Sequence, residues 1–193
     1  MSATTAYLAL GSNLGDRLLH LQRAVQLLDD RKGIRVDSPD GIASVWESSP
    51  VGAGEPQSDY LNTAVRITTT LSPGDLLLAC LDVEQDLGRV RAKPGEARTI
   101  DVDVLLYSDK IVREDPITVP HPRLHERRFV LEPLCEIGPD VVHPVLHHTI
   151  GELTQERRRL SRDETLNRAT DRRWYLWRNG AVHAERPGAR PPS

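Results

Sequence analysis

Hydrophobic and polar positions alternate along "RTIDVDVLLY" (98–107) with the period of a β-strand. Ile100, Val102 and Val104 fall on one face of it and Asp101 and Asp103 on the other. The same two-residue period, with β-branched residues, runs through "YLNTAVRITTTL" (60–71) and predicts a second strand; "AYLAL" (6–10) predicts a short buried one. At Leu18, Leu21, Val25 and Leu28 the period becomes helical. That helix is predicted to end near Arg31, before Gly33, with Ser12 or Asn13 as its cap and Asp16 in its first turn. "SPGD" opens another helix, with Ser72 at the cap and Pro73 at the first position. Leu76, Leu77, Cys80, Leu81 and Leu87 form its buried stripe, and Gly88 stops it. "IRVDS" and "GIASVWESSP" read as strand segments, and a third helix is expected near 128–137, ending at Gly138-Pro139. Residues 51–59 and 89–98 are rich in Gly, Pro and polar side chains, and are predicted to be long loops.

The order βα-ββ-αβ predicts an α+β fold, one sheet with helices packed on one face, occupying residues 1–150. Beyond Gly151 the periodicity fades. "ELTQERRRL" has a helical pattern, "WYLWRNGAVHAE" carries a hairpin signal at its Asn-Gly, and "ERPGARPPS" has the composition of a disordered end. Residues 151–193 therefore read as a partly disordered C-terminal extension. Its "WYLW" holds three of the chain's eight aromatic residues, which leaves docking on the body and contact with another subunit both open.

Charge narrows the function classes. Residues 1–150 hold 15 Lys+Arg against 22 Asp+Glu, a net −7, and residues 151–193 hold 10 against 6, a net +4. An acidic body lacks the basic face that nucleic acid requires. With 38% apolar and 27% charged residues the composition is that of a globular protein, and no run approaches a membrane span. Cys80 and Cys135 stand far apart in apolar surroundings and read as buried thiols of a reducing compartment. The N-terminus has neither the basic start nor the apolar core of a secretory signal, so a cytoplasmic location is expected.

Asp101 and Asp103 are the first candidates for chemistry. Two neighbouring carboxylates repel, whereas a pair of hard oxygen ligands on a rigid strand suits Mg²⁺ carrying substrate phosphates. The same pattern also fits a half-solvated strand with two exposed acids. Arg89, Arg91 and Arg98 bracket the preceding loop and offer forked donors to phosphate oxygens. "VPHPRLHERRF" (119–129) adds two histidines four residues apart, His121 and His125. Pro122 argues against a helix there and no third ligand suggests itself, so phosphate contact suits this stretch better than zinc. Tyr60 and Asn62 share a strand face, and an aromatic beside an amide suits a flat heterocycle. "GSNLGD" lacks the spacing and lysine of a phosphate-binding P-loop and reads as a turn and helix cap.

Taken together, "AYLALGSNLGDR", "YLNTAV", "LGRVR", "ARTIDVDVLLY" and "VPHPRLHERRFVLEPLCEIGP" resemble the 6-hydroxymethyl-7,8-dihydropterin pyrophosphokinases of folate synthesis over roughly residues 5–145. The resemblance implies a ferredoxin-like sheet that binds ATP as co-substrate with two Mg²⁺. It implies transfer of pyrophosphate from ATP to the pterin hydroxymethyl group, with release of AMP. By the same resemblance Asp101 and Asp103 hold the metals, and Arg89 and Arg98 engage the phosphates in the transition state. Glu84, Arg91, Thr118, His121 and Arg127 match ATP-binding positions. Tyr60 and Phe129 match the rings that sandwich the pterin, Asn62 its edge, and Ser48 and Val51 the loop lining its pocket. The implied partners are these small molecules and neighbouring folate-pathway enzymes. One departure stands out: where the family usually has Trp-Gly-Pro before the arginine, this chain has Gly95, Glu96 and Ala97 before Arg98. It opens the alternative of a pterin- or nucleotide-binding module that has lost turnover.

Overall fold

The structure, a computed structural model, describes residues 2–50, 57–89, 97–161, 165–178 and 181–183. β1 (Thr4–Ser12) leads into α1 (Arg17–Asp30), followed by β2 (Ile34–Val36), β3 (Trp46–Ser48) and β4 (Tyr60–Thr69). α2 (Pro73–Asp86) precedes β5 (Asp101–Tyr107), and β6 (Val112–Glu114) with β7 (Ile117–Val119) forms a small antiparallel ribbon. α3 (Arg128–Ile137), α4 (Ile150–Leu160) and β8 (Leu166–Arg168) follow, and β9 (Leu176–Arg178) pairs with β10 (Ala181–His183) at the expected hairpin.

The main sheet runs β5-β1-β4-β3-β8, with β2 also paired to β4, and every pairing is antiparallel. On one face lie Leu8, Leu10, Val65, Ile67, Val102 and Val104, covered by Leu21, Val25 and Leu28 of α1 and by Leu76, Cys80 and Val83 of α2. Each such aliphatic side chain contributes about 1.5–3 kcal/mol by leaving water. The stripe of α2 thus keeps Leu76 and Cys80, gains Val83 and Glu84, and has Leu77 and Leu87 only partly buried.

The expectation of helices on one face alone is corrected by the second core. Tyr7, Ala64, Leu105 and Leu106 project from the opposite face and are covered by Val130, Leu131 and Leu134 of α3 and by Ile150 and Leu153 of α4. A β-bulge explains how two successive leucines reach that side. Tyr7 pairs with Leu106 but Leu8 with Val104, so Leu105 is an extra residue and strict alternation breaks there. An apolar patch on both faces requires helices on both.

Two local readings also change, and one left open is decided. Asp16 caps α1, its Oδ1 accepting the Leu19 N–H at 3.1 Å, so neither Ser12 nor Asn13 does so. Cys80 is buried as expected, but Cys135 is only half-buried. The extension docks on the body: β8 adds to the edge of β3, and Trp174 and Tyr175 are buried in the first core at 3% and 1% exposure. The stretch "ERPGARPPS" lies outside the described residues.

Candidate active site

The strand register builds the site. Gly11 of β1 pairs with Asn62 of β4 on one side and Asp101 of β5 on the other. One step along, Ala9 stands between Ala64 and Asp103. Because the central strand carries only Gly and Ala in this row, its floor is low. A Cβ on Gly11 would lie 3.4 Å from Asn62 Oδ1 and 4.0 Å from the Tyr60 ring. Above this floor opens a cavity of about 720 Å³, with Asp101, Asp103 and Arg98 at one end and Ser48, Tyr60 and Asn62 at the other. Phe129, Arg123 and Arg127 wall it from the second face, so the helices that correct the fold expectation also build the cavity.

Asp101 and Asp103 do share a face, as their spacing predicts, and both line the cavity. Asp101 is held by two arginines: Arg89 Nη1 donates to Oδ1 at 2.5 Å and Arg98 Nη1 to Oδ2 at 2.7 Å. Arg89 also donates to Glu84, whose Oε1 accepts the Val102 N–H at 2.8 Å. β5 is an edge strand, so Glu84 satisfies a backbone donor that no neighbouring strand reaches. Burial raises the Glu84 pKa despite the Val102 bond and Arg89. Burial and the charge of Asp101 likewise push the Asp103 carboxyl above its usual range.

Asp103 is the less occupied member of the pair. Its Oδ2 lies 3.9 Å from His121 Nε2 and 4.0 Å from Arg127 Nη1, beyond a direct hydrogen bond. His121 Nδ1 accepts the Arg123 N–H at 3.1 Å, which places the proton of the neutral ring on Nε2, facing Asp103. Burial and the charge of Arg127 lower the His121 pKa to about 4, so the ring is neutral at pH 7. His125 turns elsewhere and meets His143 edge-on, with ring centroids 6.3 Å apart. The two histidines therefore do not converge on a metal.

At the far end Asn62 Nδ2 donates to Ser48 Oγ at 3.0 Å, fixing its amide against β3. Tyr60 lies on the same face, and the Phe129 ring, 5.8 Å from the Arg127 guanidinium carbon, looks in from α3. Arg98 is pinned from behind. Its backbone N–H donates to Asn13 Oδ1 at 2.7 Å, and Asn13 Nδ2 donates to Gln57 Oε1 at 3.2 Å.

Most of the residues singled out from the sequence are thus brought together: Asp101, Asp103, Arg98 and Arg127 at one end, Ser48, Tyr60, Asn62 and Phe129 at the other, with Glu84, Arg89 and His121 supporting the acid pair. Thr118 stands exposed on β7 and is not among the lining residues, while Val51 and Arg91 lie outside the described residues. Gly11 and Arg157 also line the cavity, and Asn13 supports Arg98, roles that no local pattern announces. Gly11 becomes visible only through register, and Arg157 arrives on α4, far along the chain from every motif.

Residues 7–139 match the family model described as 7,8-dihydro-6-hydroxymethylpterin-pyrophosphokinase. The 2-amino-4-hydroxy-6-hydroxymethyldihydropteridine pyrophosphokinase of Bacillus subtilis is 44% identical over 136 residues, covering 70% of this chain and 79% of that protein. The enzyme of the same name from Aquifex aeolicus is 38% identical over 152 residues, 79% of this chain and 91% of that one. Folic acid synthesis protein fol1 of Schizosaccharomyces pombe is 39% identical over 147 residues, but this chain spans only 20% of its length. Among solved structures, the Plasmodium falciparum HPPK-DHPS with STZ-DHP superposes with a TM-score of 0.64 at 16% identity, over 80% of this chain and 43% of that one, which is a likeness of fold. The chain belongs to the 7,8-dihydro-6-hydroxymethylpterin-pyrophosphokinase family.

Proposed function

We propose that the chain transfers the β,γ-pyrophosphate of ATP to the hydroxymethyl group of 6-hydroxymethyl-7,8-dihydropterin and releases AMP. The observation that carries this reading is the row Asn62–Gly11–Asp101. Two strand spacings, about 10 Å, separate the amide from the acid. That distance suits a bicyclic ring at one end and its hydroxymethyl group meeting a phosphate at the other. Tyr60 and Phe129 offer faces to the ring, and Asn62 and Ser48 offer hydrogen bonds to its edge.

The donor set fits magnesium. Asp101 and Asp103 present hard oxygens from one rigid strand, and burial together with the Asp101 charge raises the Asp103 pKa, a cost of ionisation that a cation would relieve. No group of three His, Cys, Asp or Glu side chains able to hold a metal occurs among the described residues, so phosphate oxygens and water would complete the coordination of two Mg²⁺ ions. When bound, the metal supplies charge neutralisation at the transferred phosphates.

The protein's own contribution is alignment and electrostatics. Arg89 and Arg98, held on Asp101, are placed to exchange that carboxylate for phosphate oxygens when the nucleotide enters. Arg127 and the neutral His121 lie on the other side of Asp103, where they would meet phosphate. The pterin hydroxyl oxygen attacks the β-phosphorus as the bond to the α-phosphate oxygen breaks; the hydroxyl proton passes to solvent water and AMP departs. Holding both substrates in line replaces a strong base as the source of rate.

The names HPPK-DHPS and folic acid synthesis protein support a neighbouring folate-pathway enzyme as a partner. No described helix is long and apolar enough to cross a membrane. The free thiols of Cys80 and Cys135 support a reducing compartment, the cytoplasm, as the place of the reaction. The test is incubation with ATP, Mg²⁺ and 6-hydroxymethyl-7,8-dihydropterin, following nucleotide products. AMP formed one-for-one with pterin pyrophosphate is expected. Formation of ADP or free phosphate sinks the reading, and pterin binding with no AMP would point to the inactive module instead.

A further inference from the structure

We infer that Arg168, in the extension beyond the family-matched residues 7–139, is a positioning residue for the pterin half of the site. The inference rests on the functional reading above. Residues 166–174 supply hydrogen-bond donors to the segment that leads into the pterin wall. β8 pairs with β3, Leu166 opposite Ser48 and Arg168 opposite Trp46. The N–H groups of Ala169 and Thr170 donate to Val45 O at 2.8 and 3.2 Å, Arg172 Nε to Ile42 O at 2.9 Å, and Trp174 Nε1 to Ala43 O at 2.7 Å. Ser48 and the two residues after it line the cavity.

Arg168 ties this wall to the opposite one. Its guanidinium lies 5.2 Å over the Trp46 ring, and its Nη2 donates to Glu136 Oε1 at 2.7 Å. Glu136 belongs to α3, whose first turn carries Phe129. The same carboxylate accepts Trp46 Nε1 at 3.0 Å and the Ser44 N–H at 2.9 Å. Trp46 O in turn accepts from Asn62 Nδ2 at 3.4 Å. One guanidinium, one carboxylate and one indole thus join the strand that holds Ser48 to the helix that holds Phe129. Their relative placement sets Ser48 at the edge of a flat ring against Phe129 on its face, and so decides how well the ring is held. The acid pair, on β5, and its arginines, on the connection from α2 to β5, sit at the other end of the cavity.

The Arg168 side chain is 52% exposed, so its removal leaves the cores intact. Steady-state kinetics of the full chain, with ATP and pterin varied separately, test the inference. Arg168→Ala is expected to raise the pterin KM roughly fivefold while kcat and the ATP KM stay within about twofold. Arg168→Lys, which keeps the charge facing Glu136 but loses the flat face over Trp46, should recover part of that loss. Glu136→Gln should mimic Arg168→Ala. An unchanged pterin KM in Arg168→Ala overturns the inference, as does an equal rise in both KM values. A wild-type chain that does not use the pterin at all overturns the functional reading, and this inference with it.

Discussion

Arg98 and Asp101, three residues apart at the mouth of β5, are joined by a 2.7 Å bond from Nη1 to Oδ2. The contact holds a guanidinium at the acid pair, where the proposed reaction would bring phosphate. Both groups are about three-quarters withdrawn from water, at 24% and 25% exposure, so the pairing is only partly screened. Arg89 makes the matching contact on Oδ1, and Glu84 orients it.

If these arginines act on the transferred group, removing either should slow chemistry more than binding. Arg98→Ala and Arg89→Ala are each expected to lower kcat by about 10²–10³-fold, with a much smaller change in the pterin KM. Single-turnover measurement of AMP release checks this. A loss confined to KM would show that the arginines only bind substrate.

Asp101→Ala and Asp103→Ala should each reduce magnesium-dependent turnover by about 10³-fold or more. Both side chains face the cavity and not a core, so circular dichroism and thermal unfolding should stay close to the wild type. Near-normal rates in either variant would remove the metal-site assignment.

Glu132 offers a stability test away from the cavity. It is 2% exposed on α3, and it accepts from Arg128 Nε at 3.1 Å and from Arg158 Nε at 2.8 Å, fastening α4 to α3. Burial on its own would raise the pKa, but the two guanidinium groups outweigh it and hold the carboxyl below its usual range. A depressed folded pKa contributes stability above the unfolded value of 4.5 and loses it as the pH falls through the folded one. Glu132→Gln should therefore cost about 1–3 kcal/mol at pH 7 and progressively less in acid. Urea titrations at pH 7 and pH 4 measure both arms. A cost that does not shrink in acid would assign it to packing.

Trp174 tests whether the extension is part of the fold. Its ring is buried in the first core, its indole N–H reaches Ala43 O, and its own carbonyl accepts from Gln22 Nε2 of α1 at 3.2 Å. Trp174→Ala should destabilise the whole chain by about 3–5 kcal/mol in one transition. A separate early transition that leaves the body's melting unchanged would make the extension an independent attachment.

The chain's local chemistry determined a good deal of this directly. Alternation placed Asp101 and Asp103 on one face, β-branched runs located β4 and β5, and Ser72-Pro73 started α2, because these signals depend only on near neighbours and on backbone geometry. Motif resemblance likewise found residues at both ends of the cavity. What no local pattern could supply was the third dimension of the sheet. The bulge at Leu105 sends two adjacent leucines to the same side, and that patch recruits α3 and α4 to a face expected to be bare. Register alone puts Gly11 between Asn62 and Asp101, where a missing side chain becomes the floor of a cavity. The docking of residues 169–174 was not legible because they bond to carbonyls of residues 40–45, far away in sequence. Short-range sterics write themselves into sequence; long-range pairing is settled only when distant segments compete to bury apolar surface and satisfy one another's polar groups.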